Sequence, residues 1–298
     1  MFEGIYPPIP TPFDADGALA LDRLRMNVEK WNLAGLSGYV AMGSNGEAPH
    51  LSLDEGARLV AATRKAALPS MKVIAGTGQL STWATVEATK RAADAGADAV
   101  LVVTPYYYKG GMTADALKRH YFTVADASPV PVLLYNVPAN TGYNIPVSVL
   151  PEVAAHDNIA GIKDSAGDIG QLAEMVRLTR GMRFEVLSGS FSALLPSMAF
   201  GVRGAILAVA NVAPKECMAL FEAARAGRMS EAGDLHLRIL PVAGAVTRQF
   251  GVPGLKAALD LLGYYGGVPR EPLLPASESV RKSIAEILRE AELVGSSK

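Results

Sequence analysis

Eight short apolar runs recur along this chain at roughly thirty-residue spacing, about what one strand and one helix occupy. They read GIYPPIPTPF, GYVAMG, KVIAGTG, AVLVVTPYYY, VPVLLYNVP, IAGIKDS, FEVLSGS and GAILAVAN. Each is continuous rather than alternating, the pattern of a strand buried on both faces of a parallel sheet. Helical periodicity fills the gaps. LDRLRMNVEKWNLAG stops at Gly35, and STWATVEATKRAADAG opens with Ser81 and stops at Gly96. LSLDEGARLVAATRKAAL opens with Ser52 and carries Glu55 three residues on, a capping box. Eight such units without a break in composition predict a (β/α)8 TIM barrel rather than a doubly wound open sheet.

After about residue 212 the strand pattern stops. KECMALFEAARAG, MSEAGDLHLRILPVAGAVTRQF, PGLKAALDLLG and ASESVRKSIAEILREAEL all read as helices. The first is the eighth barrel helix and the rest predict a C-terminal helical domain. The expected division is residues 1–225 for the barrel and 226–298 for the helical domain. GYYGGVPREPLLP is a turn-rich connector within the latter, and the terminal GSSK is expected to fray.

A barrel core needs apolar residues, and half the chain is hydrophobic while 19% is charged. The net charge of −1 lacks the basic excess of a nucleic-acid surface. With Cys217 the one cysteine, no internal disulfide forms and a reducing compartment is expected. MFEGIYPPIP has neither the basic nor the long apolar region of a signal peptide. The apolar runs break before the ~18 residues a membrane span needs. The expectation is a cytoplasmic enzyme with no nucleic-acid or membrane partner.

In such a barrel, working groups lie at the C-terminal ends of strands. Those ends read GSNGE, GTGQ, TPYYYKGG, YNVPANTG, KDSAG, SGSFS and ANV from the second run onward. Lys163 stands out because it closes the apolar run Ile159, Ala160, Gly161, Ile162. Strand alternation puts it on the same face as Gly161, which leaves room beside it if that face is the barrel interior. Two readings stand. The ammonium reaches solvent at the strand end, or burial lowers its pKa so that a neutral amine adds to a ketone as a Schiff base. A protonated imine stabilises the carbanion made when a neighbouring carbon–carbon bond forms or breaks.

Tyr135 ends the fifth run, the neighbour of the sixth in sequential barrel order, and adjacent strands lie about 4.8 Å apart. Its phenol is either a proton carrier for imine chemistry or a core aromatic with its hydroxyl capped by backbone. GSNGE holds Ser44 and Asn45 between glycines, either a plain turn or a nest of N–H groups for a carboxylate or phosphate. Glu47 orients that loop or faces water. Tyr106, Tyr107 and Tyr108 are consecutive and cannot share one face; a subunit interface and a proton relay both fit. His50, His120, His156 and His236 are scattered without ligand spacing, so no metal is expected. There is no P-loop, no complete dinucleotide fingerprint around GTG and no nucleophile elbow, and Cys217 falls in an apolar helical segment. No cofactor is expected.

GSNGE, TPYYY, YNVPANTG, GIKDS and ANV, in this order and at these intervals, resemble the dihydrodipicolinate synthase / N-acetylneuraminate lyase family of class I aldolases. The similarity covers essentially the whole chain. It implies a barrel with a C-terminal helical domain, assembled as a homotetramer. It implies Lys163 as the lysine that forms an imine with pyruvate, Tyr135 as the proton-relaying phenol, and Ser44 and Asn45 as the holders of the pyruvate carboxylate. Tyr107 is similar to the tyrosine that reaches a neighbouring subunit's site, and Ile206 to a strand-8 position whose backbone carbonyl faces the site.

Dihydrodipicolinate synthases usually place an arginine where this chain has Asn140, to receive the carboxylate of aspartate semialdehyde. An amide lacks that charged, two-pronged grip. SNGE, VPANTG, KDS, AVTRQFGVPGLK and GYYGG resemble instead the 4-hydroxy-2-oxoglutarate aldolase branch, in which Ser165 contacts substrate. Arg203 and Arg248 are candidate substitutes for the missing arginine. The expected reaction is cleavage of 4-hydroxy-2-oxoglutarate to pyruvate and glyoxylate, so that the partners are a 2-oxo acid and an aldehyde. The alternatives are condensation of pyruvate with aspartate semialdehyde and, in another class, a barrel that binds a 2-oxo acid without turning it over.

Overall fold

All eight apolar runs form strands: β1 Gly4–Tyr6, β2 Gly38–Ala41, β3 Lys72–Gly76, β4 Ala99–Val103, β5 Val132–Asn136, β6 Ile159–Asp164, β7 Glu185–Ser188 and β8 Gly204–Ile206. The computed structural model describes residues 2–295. Residues 296–298, on which most of the expected GSSK fraying falls, lie outside the described residues. The strands pair in parallel in the order β1-β8-β7-β6-β5-β4-β3-β2. Prolines explain why β1 is short. Pro7 and Pro8 have no N–H to donate, so the ladder to β8 ends at Tyr6. The Pro7 carbonyl then accepts from Val40 N–H at 2.9 Å, and Ile9 N–H donates to Val40 at 2.9 Å, closing β1 onto β2.

Two apolar layers result. Inward side chains, among them Tyr6, Val40, Leu101, Leu133, Leu187 and Ile206, fill the lumen. Outward ones pack under α1 (Leu21–Trp31), α2 (Leu53–Ala66), α3 (Thr82–Asp94) and α4 (Ala114–Ala127). The same outer layer continues beneath α6 (Leu150–Ala154), α7 (Ile169–Leu178), α8 (Phe191–Met198) and α9 (Pro214–Arg225), whereas the short α5 (Pro138–Thr141) sits at the barrel mouth. The helix signals read from the sequence hold. Ser52 and Glu55 form both bonds of a capping box, Ser81 Oγ accepts from Ala84 N–H, and Gly35 and Gly96 adopt the left-handed φ of 75° and 95° that ends a helix.

Gly161 serves a different purpose from the expected one. A Cβ there would lie 2.2 Å from the Glu185 carbonyl. The missing side chain lets β7 approach β6, and does not open space beside Lys163.

Beyond β8 and α9 the chain is helical, with α10 Met229–Gly244, α11 Gly251–Leu261 and α12 Glu278–Glu290. The expected single helix over MSEAGDLHLRILPVAGAVTRQF is interrupted: residues Ala245–Gln249 form a π-helical turn. The extension is tied to the barrel by polar bonds across elements. Asn27 on α1 donates to the Tyr265 carbonyl at 2.8 Å and accepts from its N–H at 2.9 Å. Trp31 stacks on Tyr264 with ring centres 5.3 Å apart. No described helix is long and apolar enough to cross a membrane.

Candidate active site

Sequential strand order makes β5 and β6 neighbours, and their register sets Tyr135 opposite Lys163 and Asn136 opposite Asp164. Facing pairs share a side, so Lys163 and Tyr135 both point inward while Asn136 and Asp164 point out. Lys163 is 4% exposed and Tyr135 6%. Lys163 Nζ lies 4.0 Å from the centre of the Tyr135 ring. Of the two readings, the snorkelling lysine is therefore not what forms. Burial pushes the Tyr135 phenol up, but the Lys163 charge and hydrogen bonds from Ser44, Lys163 and Ser165 outweigh it, and its pKa falls below the usual tyrosine value. Ser44 Oγ lies 3.3 Å from the phenolic oxygen.

The outward pair is bonded in turn. Asn136 Nδ2 donates to Asp164 Oδ1 at 2.6 Å, and Gln171 Nε2 to the same oxygen at 3.0 Å. Burial nevertheless pushes the Asp164 carboxyl up, against these bonds and the Ala166 N–H. Ser165 N–H donates to the Asn136 carbonyl at 2.9 Å, and Gly189 N–H to the Asp164 carbonyl at 2.7 Å. These bonds hold the ends of β5, β6 and β7 in step. At Gly189 a Cβ would lie 1.9 Å from Ser165 Oγ and 3.0 Å from Lys163 Cε, so glycine leaves the space in which the lysine stem lies.

Ser44–Gly46 forms a 3-10 turn at the end of β2, closed by Gly46 N–H on the Gly43 carbonyl at 2.9 Å. Asn45 Nδ2 is shielded from solvent and has no hydrogen-bond partner, an open donor beside Ser44. Glu47 follows at φ 55°, a strained value for a side-chain-bearing residue. It does not face water. Its side chain is wholly buried, with Oε1 2.7 Å from Lys256 Nζ of α11 and Oε2 accepting from Arg270 N–H at 2.8 Å. Lys256, 1% exposed, also donates to the carbonyls of Thr11 at 2.9 Å and Val268 at 2.8 Å. Burial pulls the Lys256 amine down despite the carboxylate against it. Arg270 grips Glu55 with two nitrogens, at 2.6 and 3.0 Å, and donates to the His50 carbonyl at 2.6 Å. The C-terminal extension thus clamps the Ser44–Asn45 loop through two cations. Neither was singled out from the sequence. The signal for Lys256 was a lysine inside the apolar stretch PGLKAAL.

Two cavities adjoin at the mouth, of about 630 and 400 Å³, and both are lined by Ser44 and Asn140. Tyr106 and Tyr135 line the smaller, and Ser165, Gly189 and Arg248 the larger. Ile206 ends β8 with its side chain in the lumen layer. Tyr107 is not brought to the site of its own chain. It is 70% exposed, packs edge-on against Tyr108 at 5.0 Å, and lines neither cavity. Arg203 does not reach the mouth either. It precedes β8 at the opposite end of the barrel, 3.6 Å from Glu185, where it cannot meet a substrate at the mouth. No cluster of metal ligands exists among the described residues.

A parallel eight-stranded barrel with a buried lysine against an acidified phenol at the strand ends has the architecture and side chains of a class I, imine-forming aldolase. The chain belongs to the dihydrodipicolinate synthetase family, whose model matches residues 1–291. It is an enzyme of that family, a carbon–carbon lyase of the class I, lysine Schiff-base type. It is 38% identical over 290 residues to the 4-hydroxy-tetrahydrodipicolinate synthase of Methanospirillum hungatei, covering 97% of this chain and 99% of that one. A dihydrodipicolinate synthase from Acinetobacter baumannii, solved in complex with pyruvate, superposes with a TM-score of 0.94 at 33% identity, over 99% of this chain and 100% of that one. A monomeric dihydrodipicolinate synthase variant superposes with a TM-score of 0.93 at 32% identity, covering 98% of each chain.

Proposed function

We propose that the enzyme makes or breaks a carbon–carbon bond at the methyl carbon of pyruvate, with Lys163 as the imine-forming amine. The observation that carries this is the facing pair on β5 and β6, with Nζ 4.0 Å from the Tyr135 ring. The pyruvate carboxylate takes the Ser44–Asn45 turn, where the Asn45 amide is an open donor. The Lys163 amine adds to the ketone, Tyr135 returns a proton to the departing hydroxyl, and water leaves as the imine forms. Loss of a methyl proton to water gives an enamine, and the same water can later restore the proton that Tyr135 gives up. Its carbon attacks the aldehyde carbonyl, and the Tyr135 proton passes to the new alkoxide. Hydrolysis of the product imine frees Lys163, and the reverse sequence cleaves. Ser44 and Ser165 hold the phenol, and the Ile206 carbonyl completes the wall.

The names of the relatives favour aspartate semialdehyde as the acceptor, the condensing synthase reaction, over the glyoxylate chemistry expected from the sequence motifs. Cleavage of 4-hydroxy-2-oxoglutarate is the second reading, favoured by one observation: Asn140 at the cavity mouth is uncharged. We further propose a cytoplasmic homotetramer in which Tyr107, exposed in its own chain, serves a neighbouring copy's site. The catalytic barrel then spans 1–225 and the helical domain 226–298.

Borohydride reduction in the presence of pyruvate tests the chemistry. A stable adduct on the Lys163 peptide is expected, and Lys163→Ala should lose both trapping and turnover. No adduct in the parent, or normal turnover by the variant, refutes the mechanism. Rates with pyruvate plus each aldehyde decide between the two acceptors.

A further inference from the structure

Of the described residues lining the larger cavity, Arg248 alone carries a formal charge. Ser44 and Asn45 line that same cavity, and pyruvate has one carboxylate to place against them. A second anion-seeking group is then left over. Arg248 forms no hydrogen bond or ion pair with any described residue, although most arginines of this chain are paired. No acidic residue lines the cavity to neutralise it. A guanidinium presents a planar fork that matches a carboxylate.

The backbone that carries Arg248 is irregular. Residues Ala245–Gln249 leave the α-helical pattern for a π turn, in which Phe250 N–H donates to the Ala245 carbonyl at 3.1 Å. Gly251 then takes φ 57°, and it lines the cavity with Gly244, Thr247 and Val252. Helix propensity does not favour π turns, and they occur frequently at functional sites. The hydroxyls of Ser190 and Ser192, 2.9 Å apart, line the same space and add uncharged donors.

We propose that Arg248 receives a carboxylate on the aldehyde substrate and makes the site selective for aldehydes that bear an acid group. The proposal rests on the pyruvate-imine reading and deepens it by assigning the acceptor's charge. Arg248 is a specificity residue; it takes no part in imine formation.

The test compares the full-length parent, Arg248→Gln and Arg248→Lys with pyruvate and two four-carbon acceptors, succinic semialdehyde and butanal. The parent should favour the carboxylated aldehyde. In Arg248→Gln, the ratio of kcat/KM for the carboxylated over the uncharged acceptor should fall roughly 10- to 100-fold, as loss of a charged hydrogen-bond donor implies. The loss should sit in the KM of the acceptor rather than of pyruvate, and lysine should restore part of it. An unchanged ratio, or a loss confined to the KM of pyruvate, overturns the proposal. Borohydride trapping of pyruvate on the same samples keeps the two readings apart. If the parent forms no adduct, the imine reading fails; if it does, the ratio judges Arg248.

Discussion

Lys256→Met keeps an unbranched apolar stem and removes the ammonium from a site with no access to water. In the parent, Lys256 Nζ satisfies three oxygens: the buried Glu47 Oε1 at 2.7 Å and Thr11 carbonyl at 2.9 Å, and the part-buried Val268 carbonyl at 2.8 Å. Methionine fills the volume and satisfies none of them. Glu47 keeps the Arg270 N–H at 2.8 Å and the His50 ring at 3.4 Å, with its side chain still wholly buried. Removing one member of such a pair costs about 3–5 kcal/mol, because the other charge is left without compensation. The double variant Glu47→Gln/Lys256→Met leaves no charge stranded. It should be less destabilised than the sum of the single variants by about 1–3 kcal/mol. The catalytic effect follows from position. Glu47 closes the Ser44–Gly46 turn at φ 55°, and a shifted carboxylate displaces the donors proposed for pyruvate. Urea unfolding supplies the stability difference, and steady-state assays well below the melting temperature supply the KM for pyruvate. A Lys256→Met protein within about 1 kcal/mol of the parent, with pyruvate KM unchanged, would refute the claim that this pair holds the loop.

Tyr135→Phe keeps the ring over Lys163 and removes the proton carrier, so kcat should fall about 10²- to 10⁴-fold, with pyruvate binding much less affected; rapid-quench trapping separates the two effects. Gly189→Ala places a Cβ 1.9 Å from Ser165 Oγ and 3.0 Å from Lys163 Cε. It should cut kcat/KM by at least about tenfold while circular dichroism shows a folded protein; activity near the parent's would show that the lysine stem has slack. Acid titration reads the Arg270–Glu55 fork. Hydrogen bonds from Arg270 lower the Glu55 pKa from its ordinary 4.5 to about 2. A depressed carboxyl stabilises the fold above its unfolded value, so this contribution is complete above about 4.5 and fades as pH falls toward about 2. Arg270→Met should flatten the stability profile in that window.

Much of the molecule follows from local sequence. Continuous apolar runs specify strands covered on both faces, and Ser52, Glu55 and Ser81 start helices by bonding within four residues of themselves. Sequential strand order then sets β5 beside β6, so the sequence already pairs Tyr135 with Lys163. Such features depend on periodicity and near neighbours, and a short window contains all of them. The partners of Glu47 do not share a window with it. Lys256 and Arg270 reach it only because α11 and the connector dock on the barrel mouth, where burying α1, Trp31 and Tyr264 together sets the position. The role of Gly161 likewise turned on the approach of β7, and the fates of Arg203 and Arg248 on which end of the barrel each occupies. Composition and spacing thus determined the barrel and its reactive pair. Tertiary packing decided which distant charges hold the Ser44–Gly46 turn beside that pair, because an ion pair forms where surfaces meet and no local propensity records the meeting.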